Sequence, residues 1–207
     1  VSLIPFFEEY VMFGDDLFSG SLEPDANGFD AIGPTFFAIY PSGQDLPRMV
    51  EWQARVFRQL GLSGVTPRPP EILHVSVAEC GKPKQQRQPL DVALKLAAER
   101  FSYPSFELTL EACVCFGADR ALVAVADAAG MRDVDGLRVA LADAQKPFGL
   151  QGSRGKGAAH LTLGYRDNLP AERQPVEPIS FRVEAVDLVV SHVGHTRHIH
   201  QARWLLS

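Results

Sequence analysis

His74-Val75-Ser76-Val77 and His160-Leu161-Thr162-Leu163 repeat one pattern: histidine, aliphatic, hydroxyl, aliphatic. In a β-strand successive side chains point to opposite faces, so His74 and Ser76 share one face while Val75 and Val77 share the other. His160 and Thr162 pair likewise, with Leu161 and Leu163 behind them. Each segment therefore reads as a strand that buries two aliphatics and presents an imidazole plus a hydroxyl on its opposite face. One His-x-Ser in a strand is a weak signal. Two copies weigh more when they occupy matching places in the chain.

They do occupy matching places. Phe36–Tyr40 reads as a strand closed by Pro41, and Asp45 and Pro47 open a helix with apolar residues at Met49, Trp52, Val56, Phe57 and Leu60. The Pro67, Pro69 and Pro70 connection then leads to the strand Leu73–Val77. The order recurs later as a strand over Ala121–Ala126, an amphipathic helix over Met131–Lys146 and a strand over Ala159–Tyr165. Such a repeat implies an internal duplication with two lobes facing each other. Between and after these units come a helix over Leu90–Arg100, strands over Phe106–Leu110 and Ala112–Phe116, and a closing antiparallel pair, Phe181–Val190 and Ile199–Leu206. Residues 1–33 mix aromatics, acids and turn formers, and are expected to be an N-terminal extension to a bilobal domain over 34–207.

Composition narrows the function. With 207 residues, 46% apolar and 22% charged, the chain can build a sizeable core without disulfides or a structural metal. Its net charge of −5, from 20 basic against 25 acidic residues, argues against coating extended duplex nucleic acid, which calls for a basic surface. It leaves room for a local site holding one or two phosphates. No run reaches the ~18 apolar residues of a membrane span, and Glu8 and Glu9 interrupt the apolar N-terminus, so it does not read as a signal peptide. Cys80, Cys113 and Cys115 form no disulfide framework and suit a reducing cytoplasm.

Two imidazoles and two hydroxyls on facing lobes suit in-line displacement at phosphorus. Attacking and leaving oxygens lie on opposite sides of the phosphorus, so a base and an acid must too. Histidine, with a free pKa near ~6.5, serves either role. The hydroxyls can donate to the non-bridging oxygens. No metal or other cofactor is called for, and the sequence carries no signal for an oligomeric state.

Pro70-Glu71-Ile72-Leu73-His74-Val75-Ser76-Val77 and His160-Leu161-Thr162-Leu163-Gly164-Tyr165 resemble the paired motifs of the 2H phosphoesterase superfamily, in its bacterial 2′-5′ RNA ligase and 2′,3′-cyclic phosphodiesterase branch. The resemblance extends over residues 34–206. It implies an α+β fold of two pseudo-symmetric antiparallel sheets with helices outside and an active-site cleft between the lobes. It implies substrates that are RNA ends or small cyclic nucleotides, with His74 as proton donor, His160 as acceptor, and Ser76 and Thr162 on the phosphate. Spacing alone leaves open which histidine is the acid. Bacterial ligase-like members often carry an arginine soon after the second motif. Here Tyr165 stands five after His160, as in cyclic-nucleotide phosphodiesterases of the superfamily, and in a regular strand it would point away from the cleft. An RNA-end binding or ligating module without hydrolysis is the alternative.

Secondary candidates are Tyr165 as a substrate contact, Arg154 and Lys156 in the glycine-rich loop before the second motif, and Phe36 or Phe37 as a base-stacking platform. His192, His195, His198 and His200 cluster near the C-terminus, but no Asp, Glu or Cys joins them there, and Gly194 suggests a hairpin that splays them. They are not expected to hold a metal.

Overall fold

The computed structural model describes residues 32–81, 94–116, 120–150, 152, 157–167, 169, 172–192 and 197–207. Strand β1 (Ile32–Ile39) leads into helix α1 (Leu46–Gln59), the short strand β2 (Thr66–Pro67) and strand β3 (Val75–Gly81). The Ser42 hydroxyl donates to the Asp45 carboxylate at 2.7 Å and prepares the turn into α1. Met49, Trp52, Gln53 and Val56 then form its buried stripe. Gly61, at φ 64°, follows the helix end in a backbone conformation that disfavours a side chain.

The second unit comprises β5 (Ala121–Ala126), α2 (Ala128–Gln145) and β6 (His160–Tyr165). Asp127 caps α2 by accepting from the Gly130 N–H at 2.7 Å. Val134, Leu137 and Leu141 are its buried apolar stripe. Four further strands complete the sheet: β4 (Phe106–Phe116), β7 (Gln174–Val183), β8 (Ala185–His192) and β9 (Arg197–Leu205).

The sheet is antiparallel throughout its pairings and runs β7-β4-β5-β6-β3-β1-β8-β9, with β2 added beside β6. Each half contributes four strands, and the motif strands β3 and β6 meet in the middle. The α+β class is the expected one, and the two expected antiparallel sheets are joined here as halves of one nine-stranded sheet. β3 and β6 share a single register pair, Val75 with Leu161, and β2 of the first half adds Thr66 with Tyr165 and Pro67 with Gly164. One core lies behind them, where Phe37, Ile39, Val75 and Val77 of the first half pack in the same cluster as Leu122, Leu161, Leu163 and Phe181 of the second. Trp52 of α1 ties across by donating its indole N–H to the Glu177 carbonyl at 2.7 Å.

Two element boundaries differ from expectation. Phe106–Phe116 is one strand with a register shift between Leu110 and Ala112, because both segments keep pairing with β5 and β7 through the irregularity. Phe181–Val190 is two strands, since the chain leaves the β4 edge at Glu184 and enters the other half beside β1. Hydrophobicity is continuous across that break because both strands feed the same core. The helix expected over 90–100 is described only over 94–98, and residues 1–31 lie outside the described residues.

Candidate functional site

The two motifs cross where Val75 pairs with Leu161. In an antiparallel pair the neighbours of that register run His74 toward Thr162 and Ser76 toward His160. Facing strands are about 5 Å apart and alternate residues on one strand about 7 Å apart. The four side chains therefore take the corners of a small rectangle, with the imidazoles on one diagonal and the hydroxyls on the other. Val75, Leu161 and Leu163 are fully buried behind them. The alternation read from the sequence thus sends all four polar side chains to one face.

Both imidazoles are held the same way. His74 Nδ1 is 2.7 Å from the Ile72 carbonyl and His160 Nδ1 is 2.8 Å from the Ala158 carbonyl, in each case two residues upstream. A carbonyl can only accept, so each Nδ1 carries the proton and each Nε2 is left for chemistry. His74 Nε2 lies 3.2 Å from the Ser76 hydroxyl. Phe36 packs beside His74 at a ring separation of 5.3 Å, and Phe116 beside His160 at 4.9 Å.

Arg68 is a cation of the site that the sequence did not single out. Its Nε donates to the Ile72 carbonyl at 3.2 Å, the same oxygen that fixes His74. Its Nη1 donates to the Tyr165 hydroxyl at 2.5 Å, and its guanidinium lies 5.9 Å from the Tyr165 ring centre. No described carboxylate pairs with it. The only signal in the sequence was an arginine inside the Pro67–Pro70 connector, which reads as a spacer.

Tyr165 reaches this place because β6 is irregular. The register runs from Leu122 with Gly164 to Val123 with Thr162 and skips Leu163. The extra residue turns Tyr165 onto the His160 face, where it packs against the Val123 and Val125 cluster. Gly164 lets β2 pack closely against the irregular stretch, since a Cβ there would sit 2.6 Å from the Thr66 carbonyl oxygen.

Burial holds the His74 imidazole well below its ordinary pKa; the charges of Arg68, His198 and His160 add to the effect, and the Ile72 hydrogen bond opposes it. His160 is lowered by burial too, with the Ala158 bond opposing and Arg138 adding. Both are therefore neutral near pH 7.

Two buried side chains clasp the crossing strands from behind. Gln53 of α1 donates to the Leu163 carbonyl at 2.7 Å and to the Arg68 carbonyl at 3.1 Å. Arg138 of α2 donates through Nε to the Val77 carbonyl and through Nη1 to the Gly157 carbonyl, both at 2.7 Å, and Nη1 also meets Asp135 at 2.6 Å. Val77 and Leu163 are the fourth residues of the two motifs. Each helix thus holds the last motif carbonyl of the opposite half.

A match to the 2′-5′ RNA ligase superfamily spans residues 41–195, which includes both motifs and most of the chain. The protein belongs to this superfamily. Among solved structures, Escherichia coli LigT in its apo form matches with a TM-score of 0.65 at 22% identity, covering 85% of this chain and 98% of that one. LigT complexed with 3′-AMP gives 0.63 at 20% identity over 85% and 98%. TT0787 of Thermus thermophilus gives 0.59 at 22% identity over 84% and 97%. Identities this low speak for the fold. No curated protein matches the chain.

The superfamily match bears out the resemblance drawn from the paired motifs. Among the secondary candidates, Phe37 needs correction. It is fully buried in the core, with its ring 6.0 Å from Trp204, because its position on β1 points to the side opposite His74. Phe36 faces the site instead, but it is 3% exposed and supports His74 rather than offering a stacking surface. Arg154, Lys156 and His195 lie outside the described residues, as does the His192 side chain. His198 and His200 are not splayed away. Paired with Ser191 and Val189, they share one face of β9 beside Tyr40.

Proposed function

We propose that this superfamily member is a metal-independent phosphodiesterase that opens 2′,3′-cyclic phosphates at RNA ends or on small nucleotides. The observation that supports the reading is the crossing of the two motifs at Val75 and Leu161, with each histidine's Nδ1 tied to a backbone carbonyl so that both Nε2 atoms are left for chemistry. His160 accepts a proton from water as the water oxygen bonds to phosphorus. His74, as imidazolium, gives its Nε2 proton to the ribose oxygen as the P–O bond breaks. Ser76 and Thr162 donate to the non-bridging oxygens, and Arg68 with Tyr165 adds a cation and a hydroxyl at the rim.

Placing the acid at His74 fits its surroundings. Burial, and then the Arg68 charge, make its imidazolium ready to give up a proton, and phosphate supplies the charge that lets it hold one. A five-membered cyclic phosphate is an apt substrate because opening it relieves ring strain. LigT accommodates 3′-AMP, a nucleoside monophosphate with its phosphate on the same ribose edge. The same two histidines with roles exchanged would run 2′-5′ ligation.

The test is hydrolysis of a 2′,3′-cyclic nucleotide by the purified protein in EDTA. Replacing His74 or His160 with Ala is expected to lower kcat by about 10²–10⁴-fold each. Wild-type rates in both variants would overturn the mechanism, and loss of the wild-type rate in EDTA would overturn metal independence.

A further inference from the structure

The C-terminal hairpin places a histidine against His74 that the two-histidine mechanism does not use. The His198 ring lies 4.8 Å from the His74 ring in a T-shaped arrangement and 5.5 Å from Phe36. Two strands, β1 and β8, separate β9 from β3 in the sheet order, so the sheet must curl for these rings to meet. Ala38 and Val189, small and buried on the same face as Phe36, leave space for that curl.

The groups around His198 are cationic or neutral. Arg68 and His74 face it from the first-motif side, Tyr40 from the end of β1 and His200 from its own strand. Asp187 of β8 is engaged elsewhere, by His200 at 2.8 Å and Arg203 at 3.0 Å. No described carboxylate pairs with His198. The Tyr40 hydroxyl sits 2.6 Å from His198 Nδ1. Burial and the Asp187 charge push the Tyr40 phenol up, so it keeps its proton and can donate it to Nδ1. That bond leaves the imidazole proton on Nε2. A half-buried ring with a donor to spare, a guanidinium nearby and no paired carboxylate among the described residues lacks an anion.

We propose that His198 is a third imidazole of the phosphate site, taking up a proton as the anionic phosphate enters and hydrogen-bonding it from the His74 side. The proposal rests on the two-histidine reading and extends it to a strand beyond the matched stretch 41–195. Burial, then Arg68 and His200, hold His198 down to about 4, so without ligand it is neutral at pH 7. A phosphate charge beside it reverses the balance.

Histidine ring signals followed by NMR across pH, with and without saturating inorganic phosphate, test this. Phosphate is expected to raise the His198 midpoint by about one unit or more. His198→Gln, which can still bond Tyr40 but cannot take a proton, is expected to bind phosphate about tenfold more weakly at pH 6 and with a smaller deficit at pH 8. Tyr40→Phe should shift the His198 midpoint while leaving His160 in place. An unmoved His198 midpoint at saturation, or wild-type phosphate affinity in His198→Gln, overturns the proposal. If His74→Ala and His160→Ala still abolish cyclic-nucleotide hydrolysis, that failure belongs to His198 alone. Full activity in those two variants would remove the parent reading and this one together.

Discussion

A guanidinium beside an imidazole works against its protonation, and Arg68 is placed to do so for His74. Arg68→Gln should raise the His74 midpoint in an NMR titration and yet lower kcat/KM by about tenfold or more, because the phosphate loses a charge-assisted donor. A variant with unchanged kcat/KM would remove Arg68 from the site. The depressed histidines also set an acid limit on stability. Their folded pKa values lie below the free value, so the unfolded chain binds more protons and stability falls as pH drops below ~6.5. For His198 the loss is complete near its folded value of about 4. Urea midpoints should fall between pH 7 and pH 5, and the fall should be shallower in His198→Gln. The motif residues were legible because alternation is a local property of a strand. Arg68 was not, because nothing local in a proline-rich connector says which carbonyl and which tyrosine it will meet.

At the scale of elements, the site depends on how two strands that share one register pair are kept aligned. Gln53 and Arg138 do this from opposite helices, each on the last motif carbonyl of the other half. Arg138→Met should destabilise the protein by about 3 kcal/mol, since the buried Val77 carbonyl and the half-buried Gly157 carbonyl lose their donor. Gln53→Leu should cost less, about 1–2 kcal/mol, because the Arg68 N–H also reaches the Leu163 carbonyl at 2.8 Å. Urea unfolding of both variants checks the order, and equal losses would contradict the asymmetry. Both helices were legible from apolar spacing. Their clasping residues were not, since a Gln and an Arg on a helix read as solvent-facing until their carbonyl partners are known. The bulge at Leu163 belongs to the same class. Periodicity put Tyr165 on the opposite face, and the register shift that skips Leu163 turned it to the His160 side.

Across the whole molecule, the far edges of the sheet are drawn together. β7 passes into β8 through Glu184, whose carbonyl accepts from the Leu206 N–H at 2.8 Å. Ser207 bonds back to Tyr103 and Ser105 through the backbone. Leu206 completes the core shared by both halves. Leu206→Ala is therefore expected to cost about 2–4 kcal/mol and to lower the stability of both halves together. Trp52 fluorescence and the His160 NMR signal should lose structure at one denaturant midpoint, and separate midpoints would show that the halves unfold independently. The same curling carries His198 to His74. No helix among the described residues is long and apolar enough to cross a membrane.

The sequence by itself determined the repeat, the two strands, the face each motif turns outward and the family, because these follow from side-chain alternation and from residue types at fixed local spacing. Tertiary structure alone decided that Arg68 joins His74, that Tyr165 turns inward, that Phe36 rather than Phe37 faces the site, and that a C-terminal histidine returns to it. Those outcomes depend on a bulge, on sheet curvature and on contacts between residues far apart in the chain, and no local pattern encodes where such distant segments meet.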